Sequence, residues 1–156
     1  MKIRYAEEKD IEMVINLLQQ VLTVHSDIRP DYFIPGTTKY NRDELKVIFK
    51  DESRPVYVAV DDDDIVLGYA FCEIKEQPKS DNLVPFKYVY VDDICVNSKA
   101  RKQHVGTALY NHVVSEARRL GCYEINLNVW EGNDAARRFY ENMGMKTLKT
   151  TMEFIL

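Results

Sequence analysis

Three groups of residues have types and spacings that chemistry could use. The first is a basic run, Lys99, Arg101 and Lys102, leading into Gln103, His104, Val105, Gly106 and Thr107. Where a strand passes through such a run into a helix, the free N–H groups of the first turn converge and carry roughly half a positive charge, which makes an anion site. Three cations beside it suit a pyrophosphate better than a carboxylate. Gly106 lets the backbone approach a ligand, and it equally allows close packing of helix on sheet. The second group is Asp92-Asp93 inside the apolar run Val89-Tyr90-Val91-Asp92-Asp93-Ile94-Cys95-Val96. Two adjacent acids there are costly unless a loop, ligand or partner satisfies them. Because successive strand residues face opposite sides, at most one of the two is expected to point into a given cleft. The third is the stretch from Asn133 to Tyr140, a helix start with a phenol two turns on.

Several other chemistries are disfavoured. The six glycines stand at positions 36, 68, 106, 121, 132 and 144, which permits neither a phosphate-binding P-loop nor a dinucleotide fingerprint. Cys72, Cys95 and Cys122 are odd in number and form no C-x-x-C pair, so they read as reduced core thiols rather than disulfides or metal ligands. A carboxylate beside Cys95 would raise its pKa, which argues against a thiol nucleophile. The acidic run 61–64 lacks the spaced ligands of a calcium loop and reads as a solvated turn; no metal is expected. Lys and Arg number 21 against 25 Asp and Glu, a net charge of −4, so there is no basic excess for nucleic acid or an anionic membrane. No stretch approaches the roughly 20 apolar residues of a membrane span, and the N-terminus has no signal-like apolar segment. The expected location is the cytoplasm.

The elements that must position these groups follow from hydrophobic period. At 156 residues, one domain spanning 1–156 is expected. A short strand at 2–5 precedes a helix with Ile11, Val14, Ile15, Leu18, Val21 and Leu22 on one face. The segment 25–40 is irregular and aromatic. Asn41 caps a short helix, with Glu44 at capping-box spacing. Strands follow at 56–60, 65–74 and 86–96, then a helix from Val105 to the stop at Gly121, a strand at 123–129, and a helix from Asn133 to Gly144. The tail 145–156 reads as one or two strands. The order is β-α-α-β-β-β-α-β-α-β(β).

The residues Val96-Asn97-Ser98-Lys99-Ala100-Arg101-Lys102-Gln103-His104-Val105-Gly106-Thr107-Ala108-Leu109 resemble the strand, loop and helix of GNAT-type N-acetyltransferases, whose R/Q-x-x-G-x-G/A signature binds the pyrophosphate of coenzyme A. Arg101 and Gly106 fit; His104 and Lys102 stand where glycines are usual. Asn133-Asp134-Ala135-Ala136-Arg137-Arg138-Phe139-Tyr140-Glu141-Asn142-Met143-Gly144-Met145 is similar to the family's N-x-x-A-x-x-F-Y-x-x-x-G-F segment, with Met145 for Phe. The resemblance, including element order, covers essentially the whole chain. It implies an α/β fold, a single domain with a central mixed, twisted sheet of six to seven strands flanked by about four helices.

It also implies transfer of the acetyl group of acetyl-CoA to a primary amine of a small molecule or peptide, by direct attack. An ammonium of pKa about 10.4 must lose its proton first, which at pH 7 costs roughly 4 to 5 kcal/mol unaided. By this resemblance Asp92 is the base and Asp93 attracts the amine. The main chain of Ile94, Cys95 and Val96 pairs with the pantetheine arm and polarises the thioester oxygen, residues 101–107 hold the pyrophosphate, and Asn133 and Ala136 also meet the cofactor. Tyr140 takes the general-acid position, and Asn128 contacts acceptor or cofactor. His25, Arg29, Asp31 and Tyr32 could line the acceptor pocket, where Arg29 would suit a carboxylate. Rival readings are a non-catalytic acyl-CoA-binding module and a transferase of longer acyl groups. A homodimer is compatible with the sequence.

Overall fold

The computed structural model describes residues 1–156. Its chain order is β1 (Lys2–Tyr5), α1 (Ile11–Ile28), α2 (Arg42–Ile48), β2 (Val56–Val60), β3 (Val66–Glu76), β4 (Lys87–Val96), α3 (Val105–Arg119), β5 (Glu124–Leu127) and α4 (Asp134–Asn142). The five strands lie in the order β1-β2-β3-β4-β5. All neighbours are antiparallel except β4 and β5, the parallel pair that the α3 crossover permits.

Both faces of the sheet are covered, which explains why β2, Val-Tyr-Val-Ala-Val, is buried along its whole length. Val56, Val58 and Val60 pack with Val14, Leu17 and Leu18 of α1 and Leu45 and Ile48 of α2. Tyr57 and Ala59 face the other way, to Val105, Leu109, Val113 and Ala117 of α3. Each such aliphatic side chain contributes about 1.5–3 kcal/mol by leaving water. Asn41 caps α2 as its spacing predicts, accepting from the Glu44 N–H at 2.9 Å. At the other end of the sheet, Arg4 clamps the buried Asp10 with bonds of 2.7 and 3.0 Å, tying β1 to the start of α1.

Gly68 is required by packing. A Cβ there would lie 2.6 Å from the Cys95 carbonyl oxygen and press on Val105 and Leu109, so this glycine sets how closely α3 sits over β3 and β4.

The sheet has five strands, not six to seven. The missing ones are those expected in the tail: residues 146–156 run without a turn, a bend or a main-chain hydrogen bond. Strand-prone residues become a strand only where an edge supplies partners, and this segment meets none in its own chain. The last strand also ends at Leu127 rather than at 129.

Candidate active site

Two irregularities of β4 create the site. In the ladder with β3, Val91 pairs with Cys72 and Asp93 with Phe71, so Asp92 is an extra residue, a β-bulge. On the other side, pairing with β5 stops at Val91 opposite Leu127. From Asp92 to Val96 the β4 edge therefore has no strand neighbour toward β5, and an extended amide-containing ligand could complete it as an added strand would. Side chains alternate along this segment. Cys95 turns into the α1 core, where its thiol donates to the Leu17 carbonyl at 3.6 Å and burial pushes its pKa up to about 12, as expected of a core thiol. Ile94 and Val96 turn the other way and, with Gly106, Ala136, Phe139 and Tyr140, line a cleft of about 180 Å³.

At the start of α3 the first intrahelical bond runs from the Ala108 N–H to the His104 carbonyl. The N–H groups of Gln103, His104, Val105, Gly106 and Thr107 have no acceptor in the protein, five donors in succession at the positive end of a helix. Lys99, Arg101 and Lys102 are exposed, and none of them makes an ion pair. Lys102 and His104, which replace the usual glycines, both adopt left-handed backbone with φ of 65° and 59°. The turn keeps a glycine-like course despite side chains that cost roughly 1–2 kcal/mol each there. A Cβ on Gly106 would meet the Phe139 ring at 3.4 Å and Val96 at 3.5 Å, ordinary contact distances, so a side chain larger than a methyl is what would fill the cleft here.

The bulge alters the reading of the acidic pair. Asp93 Oδ2 accepts a 2.5 Å bond from the hydroxyl of Tyr69, a side chain with no solvent exposure. Burial pushes the Asp93 carboxyl up to about 6, with the Asp92 charge adding to the rise and the Tyr69 bond opposing it. Asp92 is paired with Lys39 of the α1–α2 connection, 2.6 Å from Oδ2. Tyr69 and Lys39 were not singled out by the sequence: Tyr69 sits in an apolar run, and Lys39 is one of many surface lysines.

Tyr140 packs its ring on Phe139, centroids 5.1 Å apart. Burial, with the Asp93 charge nearby, raises its phenol well above the ordinary range, so it stays protonated at physiological pH. Asn133 caps α4, accepting from the Ala136 N–H at 3.3 Å, and so fixes the helix that carries both Ala136 and Tyr140. Asn128 is exposed just beyond β5 and donates to the Tyr90 hydroxyl at 3.2 Å.

Around the α1 C-terminus, Tyr32 and Phe33 pack against Trp130, with centroids 5.2 and 5.4 Å apart, which ties the α1–α2 connection to the end of β5. Arg29 is held by Asp31 at 2.8 Å and by Glu153 at 2.6 Å. Its charge is therefore engaged within the protein rather than free for an acceptor carboxylate.

This arrangement, a β4–β5 splay facing a helix N-terminus, agrees with what comparison shows. Residues 21–145 match the family model described as Acetyltransferase (GNAT) family, and the chain belongs to that family. In structure it is similar to a mutant of the BH1408 protein from Bacillus halodurans, at 29% identity and a TM-score of 0.95, covering 100% of this chain and 99% of that one. An aminoglycoside acetyltransferase, meta-AAC0020, from an uncultured soil metagenomic sample shares the fold, with a TM-score of 0.74 at 18% identity over 99% of this chain and 94% of that one. In sequence, 85 residues are 26% identical to GCN5-related N-acetyltransferase 6, chloroplastic, of Arabidopsis thaliana; the match takes in 54% of this chain and 27% of that protein. No helix is long and apolar enough to cross a membrane.

Proposed function

We propose that this protein is an acetyl-CoA-dependent N-acetyltransferase acting on a primary amine of a cationic small molecule or peptide. The observation that carries the reading is the unpaired β4 segment from Asp92 to Val96, with five free N–H donors at one end and two carboxylates at the other. A donor with a diphosphate and an amide-linked arm fits both features: the N–H groups of 103–107, with Arg101 and Lys102, would hold the diphosphate, and the main chain of Ile94, Cys95 and Val96 the arm. Ala136 and Phe139 would flank it. When bound, acetyl-CoA supplies the acetyl group as an activated thioester.

The roles of the two acids are the reverse of the sequence expectation. Asp93 is the base: a carboxyl near pKa 6 is ionised at pH 7 and is a stronger base than an ordinary aspartate. It takes a proton from the acceptor ammonium, directly or through one water, and the freed nitrogen attacks the acetyl carbon. Asp92 attracts the acceptor's cation in competition with Lys39. As the carbon–sulfur bond breaks, the Tyr140 hydroxyl donates a hydrogen bond to the sulfur, and the surplus proton of the attacking nitrogen passes to the departing thiolate, so that the products are the amide and the free thiol. The raised pKa of Tyr140 makes full proton transfer to a thiolate of pKa about 8.5 late and uphill, so hydrogen bonding to the developing charge is its main contribution.

Gly106→Val tests cofactor placement. The added methyls would enter the cleft beside Phe139, so calorimetry should show acetyl-CoA affinity reduced at least tenfold in a variant that remains folded. Unchanged affinity would remove the cofactor from this cleft.

A further inference from the structure

We infer, on the reading of the β4 splay as an acetyl-transfer site, that Lys39 is a site of self-acetylation whose modification releases Asp92 to the acceptor. The sequence has twelve lysines, and only Lys39 pairs with a carboxylate of β4, its Nζ standing 2.6 Å from Asp92 Oδ2. Lys9, Lys46 and Lys75 meet acids elsewhere. The Lys39 ammonium therefore occupies the place that a cationic acceptor would take. Burial works against its charge and the bond from Asp92 outweighs it, with the Asp93 charge adding to the effect, so Lys39 is held protonated. It needs the same base as any acceptor ammonium, and Asp93 is the next residue along the strand.

The chain delivers Lys39 to this place from a fixed point. Tyr40 stacks on the buried Phe71 of β3, with centroids 5.8 Å apart, and its hydroxyl accepts from Arg54 at 3.2 Å. Phe71 pairs with Asp93 in the ladder. The neighbour of Lys39 is thus fastened to the strand residue opposite the base, while the Lys39 side chain, half exposed, is free to turn. A donor arm that runs along β4 from the α3 end brings its thioester to the carboxylate end. Asp92 precedes Ile94 by two residues, about 7 Å along the strand, and a flexible four-carbon stem covers that by rotation about its bonds. Amine and thioester held on one molecule meet far more often than free reactants do.

In the step itself, Lys39 gives a proton to Asp93 and its freed nitrogen attacks the acetyl carbon. The carbon–nitrogen bond forms and the carbon–sulfur bond breaks. The surplus proton on nitrogen passes to the thiolate, leaving an amide on Lys39 and free coenzyme A, and Asp93 returns its proton to water. Each chain reacts once, so sustained thiol release still requires an added amine. The amide carries no charge, and Asp92 is left to the acceptor.

The test is mass spectrometry of the full-length chain after incubation with acetyl-CoA alone, with turnover on a panel of primary amines measured in parallel. One acetyl group per chain should appear, mapped to Lys39, at a first-order rate that does not change with chain concentration. Lys39 should be labelled at least about tenfold faster than any other lysine, and Asp93→Asn should remove that advantage. In the labelled protein KM for a cationic amine should fall by up to about fivefold, with KM for an uncharged amine unmoved; Lys39→Gln should start in that state. Turnover on amines with Lys39 unlabelled would overturn the inference and leave acetyl transfer at the β4 splay intact. Labelling that scales with chain concentration, that persists in Asp93→Asn, or that leaves KM unmoved would overturn it as well. Absence of both labelling and amine turnover would contradict acetyl transfer at this site, and the inference with it.

Discussion

Tyr69 donates its phenolic hydrogen to Asp93 over 2.5 Å from a position closed to solvent, and that bond fixes the orientation of the more deeply buried of two neighbouring acids. Burial raises the proton affinity of Asp93, and the bond from Tyr69 offsets part of that rise. Asp92, one residue away on the bulge, faces a cation and the water beside it. The bulge makes the division possible, because it breaks the strict alternation that would send the two side chains to opposite faces.

With Asp93 at about 6, kcat/KM should rise with pH along a limb centred near 6, and the need for the base should fade as the acceptor ammonium deprotonates unaided near 10. Asp93→Asn should lose at least 10²-fold in kcat/KM at pH 7 and lose the acid limb. If Asp93→Asn keeps that limb while Asp92→Asn abolishes it, the two roles must be exchanged.

The same shift has a stability consequence of opposite sign. The folded pKa of Asp93 lies above the unfolded value of about 3.9, so the stabilisation from its bound proton is full below about 3.9 and is lost as pH rises through 6. Asp93→Asn should therefore unfold at higher denaturant than wild type at pH 7, with the advantage shrinking toward pH 4. Asn at this position still offers an oxygen to Tyr69. An advantage independent of pH would mean that Asp93 is not the group that titrates.

Lys39 competes with the acceptor for Asp92. Its side chain is half exposed, so the pair is worth up to about 1 kcal/mol. Lys39→Met should lower KM for a cationic acceptor by up to about fivefold, with kcat little changed and no effect on an uncharged amine. Equal effects on both acceptors would make Lys39 a loop anchor and not a competitor.

Much of this was legible in the sequence where the signal is local. Hydrophobic period placed the four helices, Asn41 and Asn133 were readable as caps, and the strand, basic loop and helix at 96–109 announced an anion site. What was hidden depends on contacts between distant segments. No periodicity reveals that Asp92 is a bulge residue, because the bulge is defined by its partners Phe71 and Cys72 on β3. Tyr69 and Lys39 acquire meaning only when β3 and the α1–α2 connection are folded against β4. The tail misled for a related reason: its residues favour a strand, but a strand needs an edge, and sequence does not say whose. Lys102 and His104, read as departures from a glycine pattern, keep the backbone conformation glycine would have, so identity failed where geometry persisted.

Tyr140→Phe removes one hydroxyl and leaves the ring packed on Phe139. Acetyl-CoA affinity should change little while kcat falls about 10²-fold, and the loss should shrink with an acyl donor whose thiol is more acidic. An undiminished kcat on the preferred amine would leave Tyr140 a packing residue.

The splayed β4 edge is proposed to carry acetyl transfer to an amine. Release of free coenzyme A thiol from acetyl-CoA, measured across a panel of primary amines with and without a carboxylate, with mass spectrometry of the acceptors, tests this. Thiol release should require the amine, favour cationic acceptors without a carboxylate, match the amine's gain of one acetyl group mole for mole, and fall at least tenfold at subsaturating donor in Gly106→Val. Tight binding of acetyl-CoA with no amine-dependent release on any acceptor would contradict it and make the protein an acyl-CoA-binding module.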